Sequence, residues 1–462
     1  MSTETILLIV VAVFAVLLII EVPIGYVLTL SGLLGITLTR GFQVGAASMG
    51  SSAFESVASY SLSIIPMYIL VGMFAMQGKM AEHVFMVAER SIGKVRGGLG
   101  IATVAACAGF AAVTGSSVAT AATLGRFAVN EMRKRGYPET IAAGVVAAGG
   151  TLGILIPPSI ILAMYGILTG ESIAMLLAAG VVPGFLSALI LSLYIFIRYP
   201  EKSAKKAKIE AQARAIKAHL DQTYAATGET VGDDEQEVRW RDLPWRGPIK
   251  ILVVFLLVMG GIYTGWFTVT ESGALGAAFV ALMLVFEFRK EGPRVVFREF
   301  VTALRETAST TSMSFFLLVG SMILSFYFIS AGIPSAFTRW LITIEAPPLF
   351  VVILILVALI PLGCALDTLA IVLIVVPLAY PVITGLGFNG VWFAILFVKL
   401  IELGQISPPV GINAFIVSGV SGVKLGKVFR GILPFIGIDL LIVAVLIIFP
   451  QIVTWLPNLL VP

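Results

Sequence analysis

Apolar windows of about 20 residues, the length that carries a helix across a hydrocarbon core roughly 30 Å thick, recur along the chain from Ile6–Val22 to Gly431–Leu456. The pattern predicts about ten to twelve membrane-embedded segments. The first window follows Met1, Ser2, Thr3 and Glu4, with no basic start, and runs past Pro23 into more apolar sequence. A first span is therefore expected there, not a cleaved signal peptide. The one hydrophilic break, 198–250, carries Lys202, Lys205, Lys206 and Lys208 and then Asp233, Asp234, Glu235 and Glu237. It separates a first membrane unit, 1–197, from a second, 251–462. Within the break, Lys202 to Leu220 suits a surface helix, whereas Thr223 to Asp234 reads as disordered.

The two units share a pattern. Tyr68-Ile69-Leu70-Val71-Gly72 resembles Phe316-Leu317-Leu318-Val319-Gly320 at an offset of 248 residues (319 − 71), and the same offset carries Gly115 onto Gly363. Leu152 to Pro158 then meets Leu403 to Pro409 at 251 (403 − 152). Three ordered matches at nearly one offset indicate a repeat. Lys and Arg cluster at 94–96, 133–135, 198–250, 289–305 and 424–430, and the positive-inside rule places all five in the cytoplasm. The apolar stretch at about 98–130, broken at Gly115-Ser116-Ser117, has basic residues at both ends and so reads as a re-entrant hairpin from the cytoplasmic side. Its counterpart at about 349–383 has no basic flank and would enter from the opposite face. The repeats then have inverted topology, with both termini periplasmic and Arg40 and Arg339 as outer-side exceptions. Broken helices are expected at about 140–168 and 391–418.

Composition narrows the classes further. With 58% hydrophobic and 12% charged residues, the chain lies outside the range of water-soluble domains. The net charge of +4 follows from the cytoplasmic loops and does not point to nucleic acid. Cys107 and Cys364 sit in apolar runs and make no disulfide framework. His83 and His219 lie in charged surface stretches without a second ligand at zinc spacing, and no phosphate loop or dinucleotide fingerprint is present. Scattered carboxylates without embedded histidines argue against a membrane-embedded enzyme.

Inverted repeats that each hold a hairpin and a Gly/Pro-broken helix point to a secondary transporter's binding site. Non-helical backbone survives in lipid only where it lines a cavity or binds something. Freed carbonyls there can hold a cation, while helix N-termini at the tips favour an anion. Hard oxygen ligands suit sodium. Ser116, Ser117 and Thr120 could supply them beside the backbone of Gly150, Thr151 and Gly153, with close helix packing as the plain alternative. In the second unit the tip holds Gly363, Asp367 and Thr368, and the break offers Glu402, Ser407 and Asn413. A charge at membrane depth marks Asp367 and Glu402 as functional candidates. Glu402 follows Lys399 by one helical turn, so a structural ion pair between them is the competing reading. Thr123 and Arg126 are substrate candidates with Ser116 and Asn413, although Arg126 more simply snorkels to the cytoplasm. Glu21, Glu271 and Asp439 read as helix-end or packing residues.

Gly115 to Ala122, Gly153 to Pro158, and Glu402-Leu403-Gly404 through Pro408-Pro409-Val410-Gly411-Ile412-Asn413 resemble the large membrane subunit of tripartite ATP-independent periplasmic (TRAP) transporters over essentially the whole chain. The resemblance implies an all-α polytopic, elevator-type transporter of the bacterial inner membrane. It also implies a smaller four-helix membrane subunit and a soluble periplasmic protein that delivers a small carboxylate. Sodium sites at tips and breaks are implied as well. They carry over to Ser116, Ser117, Gly153 and Pro157 in one unit and to Gly363, Asp367, Gly404 and Pro408 in the other. The 198–250 break is longer than the family leads one to expect. No extra apolar segments of a fused small subunit begin the chain, so a separate polypeptide is expected. A sodium-coupled anion carrier that works alone fits the hairpin physics equally well.

Overall fold

The computed structural model describes residues 2–199, 244–333, 335–336 and 347–461. The helix expected over 202–220, the stretch 223–234, His219 and Arg339 lie outside them. All regular structure among the described residues is helical. Eight helices among them are long and apolar enough to cross a bilayer, or nine if the bent pair at 139–169 counts as one span. Thr3–Ile19, Ile24–Arg40, Gly98–Thr114 and Ile412–Ser421 are shorter apolar helices.

The first unit opens with α1 (Thr3–Ile19), α2 (Ile24–Arg40), α3 (Phe42–Val57), α4 (Ile64–Gln77) and the amphipathic α5 (Met80–Ile92). α6 (Gly98–Thr114) and α7 (Ser117–Lys134) follow, joined only by Gly115 and Ser116. Next come α8 (Glu139–Gly150), α9 (Leu152–Leu155), α10 (Ile160–Thr169) and α11 (Ile173–Arg198). The second unit holds α12 (Arg246–Tyr263), α13 (Val269–Phe288) and α14 (Pro293–Ser330). It continues with α15 (Pro348–Ala365), α16 (Thr368–Gly385), α17 (Gly390–Ile406), α18 (Ile412–Ser421), α19 (Leu425–Ile448) and α20 (Gln451–Leu460).

Both broken helices interrupt at a proline pair whose peptide bond is cis, Pro157-Pro158 between α9 and α10 and Pro408-Pro409 between α17 and α18. Proline has no N–H to donate and its ring collides with the preceding turn, so two in succession disfavour continuation of the helix. In the first unit the two arms bend by 41°, and Ser159 restarts the chain by accepting the Leu162 N–H at 3.2 Å.

Packing sorts the helices into two groups. α2 lies along α14, and α4 packs on α13 and α14. Glycine makes that fit: a methyl built on Gly32 would sit 2.7 Å from the Leu324 backbone nitrogen. At about 1.5 Å per residue, the 38 residues of α14 far exceed one bilayer core. Its charged start, Arg294 to Glu306, supplies the excess. The other group surrounds α17, every residue of which is buried. α15, α16, α18, α19 and α11 all touch it, and α8 packs on α19. A helix buried on all sides is apolar all round apart from what it buries on purpose, and in α17 those exceptions are Lys399, Glu402 and Gln405.

Candidate functional site

α7 starts at Ser117 with Ser116 as its cap, the serine hydroxyl accepting the Ala119 N–H at 3.3 Å. α16 starts at Thr368 with Asp367 as its cap, the carboxylate accepting the Leu369 N–H at 3.0 Å. Short oxygen side chains satisfy otherwise unpaired N–H groups at such starts, and each start carries the positive end of its helix dipole. The caps set Ser116 opposite Asp367 and Ser117 opposite Thr368, at an offset of 251 (367 − 116) that also relates Pro157 to Pro408. The match of Gly115 with Gly363 at 248 is thereby corrected. Gly115 is the tip residue, with φ +57°, and a methyl there would meet the Pro158 carbonyl oxygen at 2.4 Å. Gly363 lies inside α15, where a methyl would sit 2.6 Å from the Ile401 carbonyl oxygen.

The two tips meet on α17. Ser117 Oγ shares its proton between Glu402 Oε1 at 3.2 Å and Gln405 Oε1 at 3.4 Å. Thr368 Oγ1 donates to the same Glu402 oxygen at 3.4 Å and accepts from Gln405 Nε2. The four buried side chains form a closed ring: each hairpin residue touches both α17 residues. Among the described residues Glu402 Oε2 has no hydrogen-bond partner. Gln405 is absent from the sequence-derived candidates. Its signal was available, since a residue three after Glu402 shares its helix face.

The competing reading of Glu402, an ion pair with Lys399, is not what the structure shows. Lys399 Nζ binds Asp439 Oδ1 of α19, with both side chains at most 3% exposed. Asp439 is thus the counter-ion of a buried cation, more than the packing residue expected. Glu271 is a helix-end residue as expected, completing a capping box with Thr268 at the start of α13. His83 is half-buried, 3.9 Å from Glu287. No group of three or more metal-ligating His, Cys, Asp or Glu occurs among the described residues.

In the first unit, Thr120 Oγ1 donates to the Ser116 carbonyl at 2.8 Å and lies 3.2 Å from Thr114 Oγ1. Gly153 lets the break reach the tip: a methyl there would stand 2.5 Å from the Ser116 carbonyl oxygen. Gly150 faces Ala121 in the same contact, and Gly404 faces Gly363 and the Ile360 carbonyl in the second unit. Thr151 and Ser407 spend their hydroxyls on carbonyls of their own helices, Ala148 at 2.7 Å and Leu403 at 2.6 Å. Pro157 is buried, whereas Pro408 is exposed. Thr123 is half-buried and Arg126 exposed on α7, and no hydrogen bond joins either to the ring among the described residues. Asn413 is fully buried in the first turn of α18, and neither end of its carboxamide has a hydrogen-bond partner among the described residues.

The donor set suits a hard monovalent cation: Ser117, Thr368 and Gln405 present oxygens around the Glu402 carboxylate. Two helix N-termini beside it favour an anion.

Residues 11–452 match the family described as the Tripartite ATP-independent periplasmic transporter, DctM component. Among similar proteins, the C4-dicarboxylate TRAP transporter large permease protein DctM of Pseudomonas aeruginosa is 34% identical over 93% of each chain. The sialic acid TRAP transporter permease protein SiaT of Haemophilus influenzae is 30% identical over 97% of this chain and 68% of its own length. A crystal structure of the YdaH transporter of Alcanivorax borkumensis shares the fold over 89% of each chain, with a TM-score of 0.58 at 15% identity. The chain belongs to the DctM family of TRAP transporters, as a multi-pass membrane large permease component and not an enzyme.

Proposed function

We propose that this chain is the large permease subunit of a sodium-coupled importer of small organic acids in the bacterial inner membrane. A periplasmic binding protein would deliver the substrate, and a separate small four-helix subunit would complete the membrane complex. The observation that carries the reading is the ring in which Ser117 of one hairpin and Thr368 of the other share Glu402 and Gln405. Two re-entrant hairpins in inverted repeats that meet at mid-membrane form the site type of secondary transporters.

The relatives named for C4-dicarboxylates and sialic acid have carboxylate substrates in common, and two helix N-termini at the tips suit such a group. Sodium bound at the tips would supply the positive charge that lets a carboxylate anion enter beside Glu402 and Asp367. Ser116 and Asp367 hold the helix starts in place, Gly153 and Gly404 let breaks and tips touch, and Asn413 offers an unpaired donor and acceptor to a substrate. The group around α17 is the unit that travels in the elevator motion, against a scaffold built on α2, α4, α13 and α14.

The test is thermal unfolding of the purified chain in detergent across sodium concentrations, with potassium holding ionic strength constant. Binding to the folded state alone raises the midpoint in a saturable way. A sodium-specific rise that Ser116→Ala moves to higher sodium supports the reading. Equal midpoints in sodium and potassium, for the chain alone and with its small subunit, would sink sodium coupling. Substrate uptake by the isolated chain in liposomes would identify a carrier that works without a binding protein.

A further inference from the structure

The ring on α17 has no counterpart in the first unit. At the 251-residue offset Glu402 corresponds to Thr151 (402 − 251) and Gln405 to Ile154. Thr151 bonds its own helix, and isoleucine has no polar atom to offer. Both tips therefore depend on one pair of side chains, and both members of the pair belong to the second unit.

We infer that Gln405, together with Glu402, is a positioning residue that couples the two hairpin tips, so that sodium at one tip prepares the other; this deepens the sodium reading above and rests on it. A hydroxyl has one proton and two lone pairs. Ser117 gives its proton to the α17 pair and keeps its lone pairs for a cation. A cation on that oxygen polarises the O–H group and strengthens its bonds to Glu402 and Gln405. Those side chains are then held in the rotamers that also fix Thr368, through the Gln405 amide N–H on one side and the Glu402 carboxylate on the other. Thr368 retains one lone pair for a cation of its own. Ordering of one tip thus removes part of the entropy cost of ordering its partner, although the two lie in different units of the chain. The second sodium should bind about 5- to 150-fold more tightly than the first, the usual range of coupling between sites.

Cys364 gives a native probe of the second tip. It lies two residues before the break between α15 and α16, and its thiol donates to the Pro408 carbonyl at 3.5 Å. Both cysteines are buried: Cys107 in α6 is fully inaccessible, whereas Cys364, at 5% exposure, reports opening of the second tip. The experiment follows maleimide labelling of Cys364 in the purified full chain as sodium replaces potassium, beside the thermal midpoint. The expected result is sodium protection with a Hill coefficient above 1, which Ser116→Ala, at the other tip, displaces to higher sodium. Gln405→Met, similar in size but without hydrogen-bonding groups, should bring the coefficient to about 1 and make protection of Cys364 insensitive to Ser116→Ala. Ser117→Ala removes a different corner of the ring, leaves the Ser116 cap intact and should uncouple in the same way if Gln405→Met does not fold. A role confined to stability would lower the sodium-free midpoint and leave the steepness unchanged, and that result overturns the coupling. So does a wild-type coefficient of 1. Absence of any sodium effect on labelling and on the midpoint removes the sodium reading itself, and the coupling with it, which is distinct from sodium protection without steepness.

Discussion

Among the described residues, Lys399 and Asp439 form the one ion pair in which both side chains are nearly inaccessible, at 3% and 2% exposure, and they join the central α17 to α19. Replacement of one partner leaves the other charge buried without a counter-ion, which costs roughly 3–5 kcal/mol. Unfolding entropy runs at about 2.1 cal/mol/K per residue. Over a chain of 462 residues that is about 1 kcal/mol/K, so Lys399→Met should lower the midpoint by about 3–5 °C. Asp439→Leu should do the same. The double variant should recover most of the loss, because a buried pair exchanged for apolar side chains of similar volume is often neutral or stabilising. The assay is intrinsic-fluorescence unfolding of the four proteins in one detergent, analysed as a double-mutant cycle. Additive losses in the double variant, or a change below about 1 °C in Lys399→Met, would refute the claim that each charge needs the other.

Other substitutions separate packing from binding. Gly153→Ala drives a methyl to within 2.5 Å of the Ser116 carbonyl oxygen, which is backbone and cannot swing aside; the first break should part from its tip, and sodium stabilisation in the thermal assay should disappear. Asn413→Leu removes two buried polar groups that have no partner among the described residues, each carrying a desolvation cost of about 1–3 kcal/mol; the midpoint should stay level or rise while uptake in liposomes is lost, and retained uptake would exclude Asn413 from the substrate site. Asp367→Asn keeps a good helix cap and discards the charge, whereas Asp367→Ala also loses the cap, at about 0.5–2 kcal/mol; both should weaken the sodium response, but only the alanine variant should lower the sodium-free midpoint.

The sequence made the elements legible wherever the signal is local. Apolar windows of bilayer length, glycine and serine at a tip, and a proline pair in an otherwise helical run each act within a few residues, and helix boundaries at Gly98, Ser117, Ile160, Thr368 and Ile412 follow from them. Long-range partners were not legible. Ser117 and Glu402 are 285 positions apart, and nothing in the spacing of either names the other. Lys399 shows the difficulty most clearly. Its neighbour one turn on is acidic, which is the local rule for an ion pair, yet its partner stands 40 positions away. Because α17 is buried on every side, hydrophobic periodicity could not say which way Lys399, Glu402 or Gln405 points. Gly363 was misplaced for a related reason: a glycine that marks a tip and a glycine that admits a neighbouring helix look alike until the backbone is seen.

The differences between the two units bear on how such a site can work. Caps and proline pairs repeat at one offset, but polarity does not. Ile156 to Ser159 are buried in the first break, while Pro408 to Val410 are exposed in the second. Glu402 and Gln405 stand where the first unit has Thr151 and Ile154. A second carboxylate at Thr151 would add another desolvation cost and, through Ser117, a like charge close to Glu402. One polar hub serves both tips at the cost of burying a single unpaired acid. The first break then contributes close backbone packing against its tip, and the second contributes the charged hub and the open side. The segments related by the 251-residue offset thus differ in polarity and in which faces are accessible, and the sodium coupling proposed above would draw on that difference.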